Sequence, residues 1–256
     1  VPAWTSIEVT RRRGRPGVRE LLERTASDVT MLNGTGDGQV HPDSVLALAR
    51  FGGAPCVVLG QCRHGQRIEN PLDQASLREA RRGMRLSREL RLPLVTVIDT
   101  PGAALSVDAE EHGMAGEIAR TLADLVTLPT PTVSVLLGQG SGGIALALAP
   151  ADRVIAAQHA WLAPLPPEGA SAIVYRDVDH APELAAAQGV RSADLRAHGI
   201  VDRIVAEPAD AAADPEGFTR AIADAVTAEL RTLMLVPRKE RLRARAARLR
   251  GLGLAP

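Results

Sequence analysis

LVTVIDTPGA (residues 94–103) and TVSVLLGQGSGG (residues 132–143) share one plan: an apolar, β-branched run that breaks into glycine just before a helix-like stretch. From Leu94 to Ile98 the run is nearly continuous, as expected of a strand buried on both faces of a parallel sheet. It stops at Asp99-Thr100-Pro101-Gly102. The second run stops at Gly138-Gln139-Gly140-Ser141-Gly142-Gly143. Glycine lets backbone come close to a ligand, and the first N–H groups of a helix have no partner within it. Two such ends facing one another would form an oxyanion hole, a place where negative charge can develop on oxygen.

Working outward, residues 72 to 91 show apolar spacing near 3.6 among many charges, which predicts an amphipathic helix. SVLALARF and PCVVLGQC, separated by Gly52-Gly53, predict a hairpin. Residues 109 to 128 read as a helix with acids in its first turn, where the helix dipole favours them. GIALALAPADR reads as a small-residue helix, VIAAQ as a strand and WLAPLPPEGASAIV as a loop. Residues 180 to 207 read as two short helices and a strand, and the chain is helical from Pro215 on. Asn33 to Gly38 is a turn cluster. Strand and helix alternate, which gives an α/β fold with mostly parallel strands. Three stretches are expected: a basic lead and helix over 1–40, the core over 41–207 and a helical, basic tail over 208–256.

Composition narrows the function. The 256 residues suit one α/β domain; 45% are hydrophobic but only 2% aromatic, so aliphatic side chains must fill the core. Few aromatics and zero formal net charge argue against a nucleic-acid platform. Cys56 and Cys62 are too few for a disulfide framework and lack zinc-site spacing, so reduced thiols in a cytoplasmic protein are expected. No apolar run is long enough to span a bilayer. The start at Val1 suggests a segment of a longer polypeptide.

Nucleotide and nucleophile readings fit poorly. GxxxxGK[ST] does not occur, and Gly138, Gly140 and Gly143 satisfy GxGxxG without an acid at the end of the following strand. A nucleophilic Ser141 would need GxSxG and a His–acid pair, which the sequence does not supply.

The ordered motifs resemble a known family. Ile98 to Ala103, Ala109-Glu110-Glu111-His112-Gly113 and Gly138 to Ala147 are similar to the α subunit of bacterial acetyl-CoA carboxylase carboxyltransferase. Ala151 to Val154, Pro167 to Ile173 and Gly199 to Val205 continue the likeness in the same order. The resemblance implies a crotonase-like (ClpP/crotonase) fold of stacked ββα units. It also implies a partner β subunit or domain carrying the acyl-CoA site, an α2β2-type assembly, and biotin brought by a separate carrier protein. The implied reaction moves a carboxyl group from carboxybiotin to acetyl-CoA, giving malonyl-CoA for fatty-acid synthesis, with no metal in this chain.

By position, the N–H groups of Gly142 and Gly143 would hold the biotin ureido oxygen as it gains charge, the glycine run leaving the inward one of the two open. Gly102 and Ala103 would form a second donor set or shape the pocket, and Gly138, Gly140, Ser141 and Glu168 would line the cofactor side. On this reading Gly143→Val intrudes into the oxyanion site. An enoyl-CoA hydratase or isomerase is opposed by Ala145, which stands where such enzymes carry a first glutamate; a non-catalytic scaffold is the other rival. Glu168 also reads as a carboxylate capping the next helix, His112 as a surface residue, and Trp161 as core or interface. His159, His180 and His198 share no metal-site spacing. The basic residues between Arg238 and Arg250 read as a solvated helix, a partner contact or a contact to CoA phosphates.

Overall fold

A computed structural model describes residues 1–63, 71–103, 111, 113–208 and 211–253. The stretch from Leu94 forms β4 (Leu94–Thr100) and the one from Thr132 forms β5 (Thr132–Ser141), and every residue of both is buried. Polar residues survive there because they are bonded: Thr96 Oγ1 and Ser134 Oγ both donate to the Leu148 carbonyl, at 2.8 and 3.1 Å.

Around these strands the elements run α1 (Ala3–Thr10), α2 (Val18–Thr25), β1 (Ser27–Met31), β2 (Ser44–Phe51), β3 (Ala54–Gln61) and α3 (Gln74–Leu90), then β4. After α4 (Met114–Val126) and β5 come α5 (Gly142–Leu146), β6 (Arg153–Ala157), β7 (Trp161–Ala163) and α6 (Pro167–Tyr175). The rest is α7 (Ala181–Ala187), α8 (Ser192–Ala197), β8 (Arg203–Val205), α9 (Pro215–Met234) and α10 (Arg238–Gly251).

The sheet order is β1-β2-β3-β4-β5-β6-β8, with β7 paired to the end of β5. β1, β2 and β3 are antiparallel neighbours and the remaining pairs are parallel. The hairpin turns at Gly52 and Gly53, both at positive φ (55° and 81°), as a two-residue turn between right-twisted strands requires. β2, β3 and α3 together make a ββα unit, and α3 starts where Asp73 accepts N–H bonds from Ala75 and Ser76.

One hydrophobic cluster joins the sheet to Val18, Leu21 and Leu22 of α2 and to Phe218, Ile222, Val226 and Leu230 of α9. α3 packs on α4 and α2 on α9, each pair against the sheet. α2 and α9, far apart in sequence, therefore pack into the same cluster as the strands.

Several local expectations change. Residues 3–10 are helical, whereas the basic run after them reads only as a polar lead. The predicted loop 161–174 holds β7 and most of α6, because Pro166 and Pro167 open a helix rather than break one. The small-residue helix after the glycines ends at Leu146, and α4 begins only at Met114, so Glu117 is the acid in its first turn. Ala109, Glu110 and His112 lie outside the described residues.

Candidate active site

The register between β4 and β5 is regular from Leu94↔Thr132 to Ile98↔Leu136, then jumps to Thr100↔Gly140. One residue, Asp99, thus stands opposite three, Leu137, Gly138 and Gln139. This bulge turns the end of β5 away so that residues 139–141 pair with β7. The chain then enters α5 at Gly142, whose φ is +73°.

The two glycine-broken ends meet. A Cβ built on Gly142 would lie 3.9 Å from Gly102 Cα and meet nothing else within 4 Å among the described residues. One built on Gly102, itself at φ +131°, would lie 3.7 Å from Ser141 Oγ. The Ser141 hydroxyl is fully buried and has no hydrogen-bond partner among the described residues. The first N–H groups of α5 therefore open beside Gly102, next to an unpaired hydroxyl.

The other residues singled out from the sequence sit differently. The Gly102 N–H donates to Thr100 Oγ1 at 3.1 Å, so Gly102 contributes shape at this corner while its amide is occupied. Ala103 forms a β-bridge with Leu72 and packs against the cluster of Leu77, Met114, Ile144 and Ala147. Gly138 faces the Asp99 carboxylate and Gly140 faces Trp161 and Leu162 of β7, so the Cα side of each is closed by protein. A Cβ on Gly143 would press on Ile118 Cδ1 at 2.9 Å; Gly143→Val is therefore a packing variant rather than an intrusion into the oxyanion site. Ala145 is fully buried in the core, leaving no carboxylate at that position.

Glu168 lies in the first turn of α6 and accepts from Arg11 Nη1 at 2.5 Å, while Arg11 Nε donates to Gln139 Oε1 at 3.0 Å. Burial pushes its carboxyl pKa up, but the Arg11 hydrogen bond and its own backbone N–H outweigh that and hold it below the ordinary value. The bond chain Glu168–Arg11–Gln139 ties α6, the C-terminal end of α1 and the bulge together. Sequence reasoning missed Arg11, Asp99 and Arg63 here. For Asp99 there was a signal: a lone acid inside an otherwise apolar strand.

The remaining polar groups serve structure. His159 is held near Ser6 Oγ at 3.3 Å, with its pKa lowered chiefly by burial. His180 bonds Asp177 at 2.9 Å, which raises its pKa. Among the described residues no three His, Cys, Asp or Glu side chains are grouped to hold a metal. Trp161 is core, its Nε1 donating to Thr10 Oγ1 at 3.1 Å. Cys56 and Cys62 are buried thiols, and burial pushes their pKa values up to about 12 and about 11.

Comparison with known proteins identifies the family of the chain. A family model described as "Acetyl co-enzyme A carboxylase carboxyltransferase-like" matches residues 1–253. The "Probable biotin-dependent acyl-coenzyme A carboxylase beta3 subunit" of Mycobacterium tuberculosis (strain ATCC 25618 / H37Rv) is 59% identical over 99% of this chain and 51% of its own length. The "Acetyl-coenzyme A carboxylase carboxyl transferase subunits beta/alpha" of Salinispora arenicola (strain CNS-205) is 40% identical over 98% of this chain and 46% of its own. The chain thus spans about half the length of these relatives. Among solved structures, transcarboxylase 12S with methylmalonyl-coenzyme A bound superposes with a TM-score of 0.64 at 22% identity, covering 86% of this chain and 44% of that one; it shares the crotonase-like fold. With the fold and the sequence matches in agreement, the chain belongs to the acetyl-coenzyme A carboxylase carboxyltransferase-like family.

Proposed function

We propose that this chain is the carboxybiotin-side (α) half of a carboxyltransferase that acts on an acyl-CoA, with acetyl-CoA as substrate and malonyl-CoA as product. One observation carries the reading: the meeting of the Gly102 and Gly142 corners, where backbone amides open beside an unpaired hydroxyl. A ureido oxygen fits there. Gly142 leaves space that a side chain would fill, and the first amides of α5 have no helical partner. When bound, carboxybiotin supplies the carboxyl group; the chain's part is to hold and orient the ureido oxygen.

Gly142 and Gly143 N–H are the donors in this account, aimed at charge that grows during the reaction, which is where a fixed dipole lowers a barrier. Ser141 Oγ is placed to rotate toward the same oxygen, and Gly102 keeps the facing wall thin. Glu168 is paired with Arg11 and steadies the bulge instead of moving protons. Gly138 and Gly140 support the cofactor side through the backbone path they permit. The acyl-CoA site belongs to a partner β half, and biotin comes on a carrier protein, so the working unit is a hetero-oligomer. The relatives' names, one a subunit of an acyl-coenzyme A carboxylase and one a beta/alpha carboxyl transferase, support a two-half enzyme.

The reverse reaction tests this. Malonyl-CoA and a free biotin derivative are supplied to the chain alone and to the chain with its β half. Turnover only in the mixture supports the reading. Silence in both, although a stable complex forms, promotes the scaffold alternative. Hydration of an enoyl-CoA by the chain alone would instead favour the hydratase class, against which the buried Ala145 already argues.

A further inference from the structure

The bulge in β5 is what brings α5 to Gly102, and a buried charge sits opposite it. Asp99 is fully buried. Its Oδ1 accepts the Gln139 N–H at 3.0 Å and lies 3.3 Å from Arg63 Nε. A Cβ on Gly138 would come within 2.4 Å of Oδ1, so residue 138 has no side chain because the carboxylate occupies that space. The bulge is held from two further directions. Arg15, 1% exposed and paired with Glu207, donates through Nη2 to the Leu137 carbonyl at 2.9 Å. Arg11 Nε reaches the Gln139 side chain.

Taking a carboxylate out of water costs several kcal/mol even after relaxation, and a β-bulge needs no charge to form. What the carboxylate gains here is geometry. Asp99 is covalently one residue before Thr100, whose Oγ1 accepts the Gly102 N–H, and it is hydrogen-bonded to the residue three before Gly142. One side chain therefore spans both glycine corners.

We propose that Asp99 is a positioning residue: its carboxylate fixes the β5 bulge so that the first amides of α5 lie beside Gly102 in the reactive arrangement. This rests on the carboxyltransferase reading above. Asp99 touches no reacting atom; it acts through Gln139 and Thr100.

The test measures kcat and KM for malonyl-CoA in the reverse reaction, using the chain assembled with its β half, for Asp99→Ala, Asp99→Asn and Gly138→Ala. A misplacement of about 1 Å at a reacting centre can cost about 10²-fold. Asp99→Ala is therefore expected to lower kcat about 10²-fold with KM within about threefold, since the acyl-CoA side is untouched. Asn keeps an acceptor for the Gln139 N–H, so Asp99→Asn recovers kcat to within about tenfold of the parent. Gly138→Ala pushes the carboxylate aside and reproduces the Ala loss. The double variant Asp99→Ala/Gly138→Ala is no worse than either single change, because both act on one contact.

A folded, assembled Asp99→Ala enzyme with kcat within about threefold of the parent overturns the proposal, as does a loss confined to KM. If Asp99→Ala does not assemble, Asp99→Asn decides: near-baseline kcat in a folded Asn enzyme overturns it. An inactive parent enzyme would instead count against the carboxyltransferase reading itself.

Discussion

At residue 141 a serine hydroxyl is sealed from solvent with no hydrogen-bond partner among the described residues, an arrangement that ordinarily costs about 1–3 kcal/mol. Removing it should relieve that penalty. Ser141→Ala is expected to leave stability to urea unchanged or raise it by about 1 kcal/mol, while turnover with the β half falls. A loss of stability equal to the loss of turnover would show that the hydroxyl serves the fold. Gly143→Val is the contrasting case: its side chain meets Ile118 and should destabilise by about 1–3 kcal/mol through overpacking, read from the same unfolding curves. The sequence pointed to this corner because glycines end a buried strand there. It did not distinguish a glycine that opens space, Gly142, from those closed by a neighbour, Gly138, Gly140 and Gly143. That distinction depends on Asp99, Leu162 and Ile118, which fold in from elsewhere.

Elements show the same divide. β4 and β5 were legible as uninterrupted apolar runs, and the hairpin from Gly52-Gly53. β7 was not, since three residues give no period. The basic character of α10 was plain, but its use was not. Arg245 is 2% exposed and bonds Asp152 at 2.7 and 2.8 Å, with further bonds to the Leu125, Leu128 and Thr130 carbonyls. Arg248 bonds Asp202 at 2.6 Å and Arg241 donates to the Pro129 carbonyl, whereas Arg238, Lys239, Arg243 and Arg250 stay exposed. One face of α10 is thus a clamp whose carboxylates lie far off in sequence. Arg245→Ala leaves the buried Asp152 with Arg241, 3.2 Å away, and takes the donors from the Leu125, Leu128 and Thr130 carbonyls, so it is expected to cost about 3 kcal/mol in denaturant unfolding; a cost under about 1 kcal/mol would contradict the clamp. The contact between α1 and α6 predicts a pH effect. The Glu168 pKa is held below its ordinary 4.5, so its contribution is complete above that value and is lost as pH falls through the lower folded value. In Arg11→Gln the effect of burial dominates, and carbon-13 NMR should show the Glu168 carboxyl titrating at higher pH than in the parent.

For the whole molecule, one sheet carries the two glycine corners and the bulge, and its main hydrophobic cluster also takes in α2 and α9. Alternating strands and helices made the α/β class and the parallel majority readable. The two-residue excess of β5 over β4 was not, because a register jump leaves no periodic mark in either strand. On that jump rests the proposed carboxybiotin-side site, the β5–α5 corner beside Gly102. The most direct measurement is kcat/KM for the biotin derivative in the assembled Gly142→Ala enzyme. There is room for the methyl group, and a non-glycine residue at this φ costs only about 1–2 kcal/mol, so the fold should survive with a slightly lower melting temperature. The N–H of residue 142 remains, but the methyl group fills the space left for the ureido oxygen and holds it off the donors, so a fall of about 10²–10³ is expected, on the order of losing one oxyanion contact. Activity within about threefold of the parent would contradict it.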